Sequence, residues 1–362
     1  MWVWLFMLLG IIGVRCLIPD ALGEKKKNLI FLGLSFAIIV FVVGSRSAIL
    51  TNSADLRNYY NWYIRAMRMP LSEMIEHSAF EDGYLVLNKV LAILFPSKYF
   101  IVYFEAAFTT AVVFWYIYRN CDSVFLGVII YICLGPWQFF LTGFRQAIAI
   151  CMSIIALEML KKNMHIWDIL AIITILLAST IHSTVLIFFG VFILKRLKFT
   201  KKFVLSAVVM TLLMLVFLDD IVAFGNDFLE REYTMAYQGN ALAGIVPIMV
   251  YMGALILWYL IWSWNNEFIK EHELELMMLL IGLCLYSLRY TVTVMERTSY
   301  YYSFVLMVVL SNGITRQKTK TVRNIAVTIC VVACGALFLY RVMTQLGEYH
   351  FYWDYLERYV YL

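Results

Sequence analysis

Polar and apolar positions in this chain fall into blocks instead of alternating. Apolar runs of about 16–20 residues recur along it, parted by short polar turns, as expected of helices that cross lipid. They place segments at about 2–19, 28–44, 98–118, 123–141, 145–160, 166–181, 184–194, 203–218, 245–262, 274–290, 298–313 and 324–343. The pattern predicts an all-α polytopic membrane protein of about 12 transmembrane helices in a single integral membrane domain spanning 1–362. The first run, Met1 to Ile18, has no basic start and no small-residue cleavage site, so it reads as a retained span.

Two longer polar stretches, 45–97 and 219–244, interrupt the blocks and are expected to cover substrate. Within the first, Asp55 to Met69 sets Tyr59, Tyr60, Trp62 and Tyr63 beside Arg57, Arg65 and Arg68 at helical spacing. That spacing predicts a helix lying in the headgroup layer, ended by Pro70. Glu81 to Phe95 is apolar for too few residues to cross and reads as a re-entrant or interfacial piece. The aromatic-rich tail 348–362 reads as an interfacial belt.

Composition agrees: 63% of the 362 residues are apolar and only 15% charged, outside the range of soluble domains. Sixteen of the 29 basic residues fall in alternate short loops, around 25–27, 119, 161–162, 195–202, 270 and 316–323. The positive-inside rule puts those loops in the cytoplasm and both termini outside. The net charge of +5 is thus spent on orientation, and no basic stripe for nucleic acid remains. Seven cysteines lie in or beside apolar runs without metal-like spacing, so no metal or cofactor is expected.

Charges inside spans are costly and invite a functional reading. Arg15, Glu158, Asp168 and Arg341 lie near span ends, where snorkelling, pairing or capping explains them. The outer-face set is harder to dismiss. Arg46 and Arg289 sit where helices end, which the helix dipole favours. Arg145 and Arg297 sit where helices begin, where uncapped amides already carry positive charge, so an anion should accompany them. His182 precedes a further helix start at Ser183 or Thr184. Asp55 and Glu81, set among aromatic residues, are candidate bases toward a hydroxyl, and Glu105 a buried partner of an arginine.

These residues form an ordered set. It runs from Gly44-Ser45-Arg46 through Asp55 with Tyr59 and Tyr60, Glu81-Asp82-Gly83-Tyr84 and Phe144-Arg145-Gln146-Ala147-Ile148-Ala149 to Ile181-His182-Ser183 and Glu296-Arg297 before a Tyr-rich helix. In that order it resembles the EpsG family of Wzy-type bacterial polysaccharide polymerases, over residues 44 to 302. The resemblance implies a GT-C-like membrane enzyme in the bacterial cytoplasmic membrane, working at its outer face. It would join oligosaccharide repeat units carried on undecaprenyl pyrophosphate, both donor and acceptor being lipid-linked, with a chain-length regulator as a further partner. It implies functional roles for Arg46, Arg145, His182 and Arg297; Arg289 is added from its position alone. On this expectation the arginines hold pyrophosphate, His182, Asp55 or Glu81 handles the acceptor proton, and Tyr59, Tyr60, Tyr84 and Gln146 contact sugar. A ligase using another acceptor and a lipid-linked oligosaccharide flippase or transporter remain as alternatives.

Overall fold

A computed structural model describes residues 2–19, 21–51, 53–217, 266–288, 293–346 and 348–354. The segment expected at 245–262, the loop 219–244, Arg289 and the tail beyond residue 354 lie outside the described residues. Two compact units are formed, one by residues 1–186 with 310–362 and one by 187–309.

In the first unit, α1 (Trp2–Leu17), α2 (Glu24–Gly44), α6 (Phe100–Asn120), α9 (Phe144–Leu160), α10 (His165–Ser179) and α17 (Lys320–Thr344) correspond to expected apolar runs. Three of these, α2, α6 and α17, are long and apolar enough to cross a membrane. Gly44 ends α2 against α6: a Cβ there would lie 2.3 Å from the Tyr103 ring, so only glycine permits this approach. The expected segment 123–141 is instead split into α7 (Val124–Cys133) and a single turn, α8 (Trp137–Phe140). Pro136, between them, has no N–H to continue the helix.

Polar contacts sort the helix ends of this unit into two sets. At one end Glu158, near the close of α9, meets Arg119 at 3.1 Å, Asn120 at 3.1 Å and Lys161 at 3.0 Å. Asn312 near the end of α16 (Leu306–Thr315) bonds the Asn120 carbonyl at 2.7 Å, and Arg316 pairs with Asp122. At the other, Gln138 bonds Gln345 at 2.9 Å, Arg341 bonds the Cys133 carbonyl at 2.8 Å, and Ser45 bonds Tyr103 at 2.7 Å. Helix α6 therefore contributes one terminus to each set.

Residues 45–97 are folded protein. Ser53 caps α3 (Ala54–Arg68) by accepting the Leu56 N–H, and Lys89 bonds the Ala66 and Met69 carbonyls at its other end. Pro70 leads into α4 (Leu71–His77), which is followed by α5 (Asp82–Leu94). The aromatic face of α3 was expected to meet headgroups. It is instead buried in a core shared with Met74, Tyr84 and Leu85, Ile101 and Val102 of α6, and Phe144 and Ile148 of α9. An apolar helix face is satisfied as well by protein as by lipid, and here α5, α6 and α9 supply the protein.

The expected 184–194 helix is a 3₁₀ turn over Ser183–Phe189, begun in the first unit, followed in the second unit by α11 (Gly190–Leu194). The remaining described elements of the second unit are α12 (Lys201–Val216), α13 (Asn266–Glu271), α14 (Glu273–Ser287) and α15 (Thr293–Ser303). The expected 298–313 segment is broken between α15 and α16, at a point with neither glycine nor proline. Gly282 lets α14 lie against α15, since a Cβ there would stand 2.8 Å from the Ser303 amide nitrogen.

Candidate functional site

Three chain-distant elements meet at the Glu81 carboxylate. Glu81 is the N-cap of α5, where its carbonyl accepts Tyr84 N–H at 3.0 Å. Arg145 is the second residue of α9, whose N-cap, Gly143, offers no side chain to the exposed amides. His182 and Ser183 form the turn after α10, the His182 amide bonding back to the Ala178 carbonyl at 2.9 Å. Arg145 donates a guanidinium N–H to Glu81 Oε2. Ser183 donates its amide N–H to Oε1 at 3.1 Å, its hydroxyl lies 3.3 Å from the same oxygen, and His182 Nδ1 lies 3.4 Å from it. The three side chains are each 17–18% exposed, enough for a ligand to reach them.

Close packing makes this meeting possible. A Cβ on Gly83 would sit 2.2 Å from Thr180 Oγ1 and 2.6 Å from the Thr180 carbonyl oxygen, so α5 can lie against the end of α10 only with glycine there. Phe144 stacks on Tyr59 at 5.3 Å, fixing the start of α9, and the Arg145 guanidinium lies 4.1 Å from the centre of the Phe80 ring.

Burial by itself would raise the Glu81 carboxyl. The adjacent His182 ring, the Arg145 charge and the Ser183 amide outweigh it and bring the group down to about 2. Glu81 is therefore an anion at neutral pH, and a weak base. The negative charge demanded by a cation at a helix start is present, supplied by the protein itself.

Arg46 is held elsewhere. Its Nε donates to the Val43 carbonyl at 3.2 Å, another nitrogen donates to the Leu141 carbonyl, and it pairs as a short antiparallel bridge with Phe351. Burial lowers it to about 10, with Glu105 and Tyr349 acting in the opposite sense, so it remains charged. Glu105, expected as a buried partner of an arginine, is buried and within reach of the Arg46 charge, and no ion pair between them is formed. Beside Arg46 opens a cavity of about 390 Å³. Among the described residues no group of three or more His, Cys, Asp and Glu side chains is placed to hold a metal ion.

A model of the EpsG family matches residues 29–356, nearly the whole chain. The chain belongs to the EpsG family. That family consists of Wzy-type polysaccharide polymerases, so the protein is a membrane protein of polysaccharide biosynthesis whose substrates are lipid-linked oligosaccharides. No curated protein and no solved structure matches the chain.

The remaining residues singled out in this EpsG-family sequence are dispersed. Asp55 is exposed in the first turn of α3. Tyr59, Tyr60 and Tyr84 are buried, only 7%, 0% and 0% exposed, their rings packed against protein, which leaves no open face for a sugar. Gln146 is buried one position beyond Arg145. Arg297 is exposed on α15, five residues into that helix instead of at its first turn, and belongs to the unit formed by 187–309. Sequence reasoning gave Ser183 only the start of a helix and gave no role to Gly83 or Phe80. Each adjoins a residue that it did name, and the signal available was the unbroken Phe80 to Tyr84 and Ile181 to Ser183 strings.

Proposed function

We propose that this EpsG-family protein joins undecaprenyl-pyrophosphate-linked repeat units at the outer face of the bacterial cytoplasmic membrane. The observation that carries this reading is the convergence of Arg145, Glu81 and His182 at the side-chain-free start of α9. In the reaction an acceptor sugar hydroxyl attacks the anomeric carbon of the donor. The bond from that carbon to the pyrophosphate oxygen breaks, and undecaprenyl pyrophosphate leaves with the bonding electrons. Arg145 and the α9 amides take up the charge that develops on the leaving group; a forked, permanently charged donor suits phosphate oxygens. His182 takes the acceptor proton. Glu81, too weakly basic for that step, holds the Nδ1 side of the imidazole and leaves Nε2 as the basic nitrogen. It also keeps Arg145 extended until phosphate competes for the guanidinium.

The basic loops support the outer face: Arg145 begins α9, whose other end carries the Arg119, Glu158 and Lys161 contacts. A chain-length regulator is assigned to the same assembly. The test is incubation of purified protein with lipid-linked repeat unit and a gel of the products. A ladder supports polymerisation, a single-transfer product would mean a ligase, and recovery of unreacted repeat unit would remove the enzymatic reading.

A further inference from the structure

The cavity beside Arg46 belongs to neither the proton-transfer group nor the phosphate-binding group just described. Its walls come from the start of α1, the residues leading into α3, the α8–α9 turn, the end of α17 and the segment after it. A volume of about 390 Å³ falls within the roughly 300–1,000 Å³ typical of small-molecule sites. Trp4, packed edge-on against Trp137 and Tyr349 at 5.6 and 5.2 Å, makes one wall rigid, and Tyr349 is itself tied to the Val42 carbonyl at 2.7 Å.

The lining chemistry selects the ligand. Arg46 is only 2% exposed, and two backbone carbonyls already occupy its guanidinium, while Glu348 adds a negative group to the wall. A further anion would gain little there. What the cavity offers instead is hydroxyls and primary amides: Thr51, Ser53, Thr142, Thr344 and the Gln138–Gln345 pair. The threonine hydroxyls, which donate to backbone carbonyls, keep acceptor capacity and the amides add donors, as a neutral polyhydroxyl ligand requires. Apolar surface from Leu141, Met343 and Leu346 faces the same space and suits the C–H face of a pyranose ring.

We propose that this cavity is a saccharide subsite that holds sugar residues of a lipid-linked glycan. Thr142 and Ser53 tie it to the ion cluster through the chain: Arg145 lies three residues beyond Thr142, and α3, capped by Ser53, carries the Tyr59 that contacts Arg145. The inference rests on the polymerase reading for the identity of the sugar, and on the cavity alone for the class of ligand. The subsite holds the glycan while the bond is made, so its loss shortens products more than it slows the first condensation.

The test uses the full-length protein in detergent and the free repeat-unit oligosaccharide released from the polymer of the source cells, with binding followed by saturation-transfer NMR. Thr344→Trp fills the cavity from an exposed position, and a Gln138→Ala/Gln345→Ala variant removes the amide pair without filling it. Both should weaken oligosaccharide binding by about tenfold or more and shift the gel ladder to short products, while Arg145→Ala binds as wild type. Absence of binding to wild type, or unchanged binding in both cavity variants, would overturn the proposal. So would loss of binding of inorganic pyrophosphate, and not of oligosaccharide, in those variants. If the wild type binds oligosaccharide in this cavity but makes no ladder, the polymerase reading fails while the subsite stands.

Discussion

Replacing Glu81 by Gln keeps the shape of the side chain and removes its charge. The carboxyl falls from 4.5 to about 2 in the folded protein, which at 1.36 kcal/mol per pH unit corresponds to about 3 kcal/mol of stabilisation at neutral pH. With the side chain 17% exposed, solvent screening reduces this, and a loss of roughly 1–3 kcal/mol is expected for Glu81→Gln. Because the folded value is depressed, the stabilisation is whole above about 4.5 and is lost as pH falls toward about 2. The gap between wild type and Glu81→Gln, measured by heat- or SDS-induced unfolding in detergent, should therefore be present at pH 5 and above. It should close between about 4.5 and 2. A double-mutant cycle with Arg145→Gln isolates the pair itself. Additivity within about 0.5 kcal/mol, or a gap that does not change with acidification, would refute the ion cluster.

The other predictions concern activity and packing. Arg145→Lys should keep charge but lose the fork, reducing polymer formation by about 10²-fold in an in vitro ladder assay with the protein still in the membrane. His182→Ala should cost about 10²–10⁴-fold in the same assay, and chains longer than one repeat at wild-type yield would contradict its role. Gly83→Ala must push α5 away from the Thr180 carbonyl and so part Glu81 from His182; about a 10²-fold loss of activity is expected, against little change in Gly13→Ala, where a Cβ meets nothing. Glu158→Ala, which unties Arg119, Asn120 and Lys161, should lower unfolding stability by about 1–3 kcal/mol and leave the activity of folded protein unchanged.

Much of the helical framework was readable because lipid imposes it. The runs at 28–44, 98–118, 145–160 and 324–343 need length and apolarity, and both are local properties of the chain. The break at Pro136 was also visible locally and was masked by the apolar residues around it, whereas the break between Ser303 and Leu306 leaves no local mark. Loop 45–97 shows the limit of pattern reading. The amphipathic face of α3 was legible, but whether Tyr59, Tyr60 and Tyr84 meet lipid, sugar or protein depends on what packs opposite, and that is set by α5, α6 and α9. At the site, the helix-dipole argument required an anion beside Arg145. It could not say that residue 81, sixty-four positions earlier, is that anion. The family resemblance, and not the dipole argument, grouped Arg46 with Arg145, although two backbone carbonyls occupy the Arg46 guanidinium.

The claim at the centre is that one charge cluster drives glycosidic bond formation with lipid pyrophosphate as the leaving group. Counting undecaprenyl pyrophosphate released against linkages formed, with purified wild type and Arg145→Ala side by side, tests it most directly. One equivalent released per linkage in wild type, and neither product from Arg145→Ala, is the predicted result. A ladder built without that release, or an Arg145→Ala protein that polymerises at the wild-type rate, would contradict it.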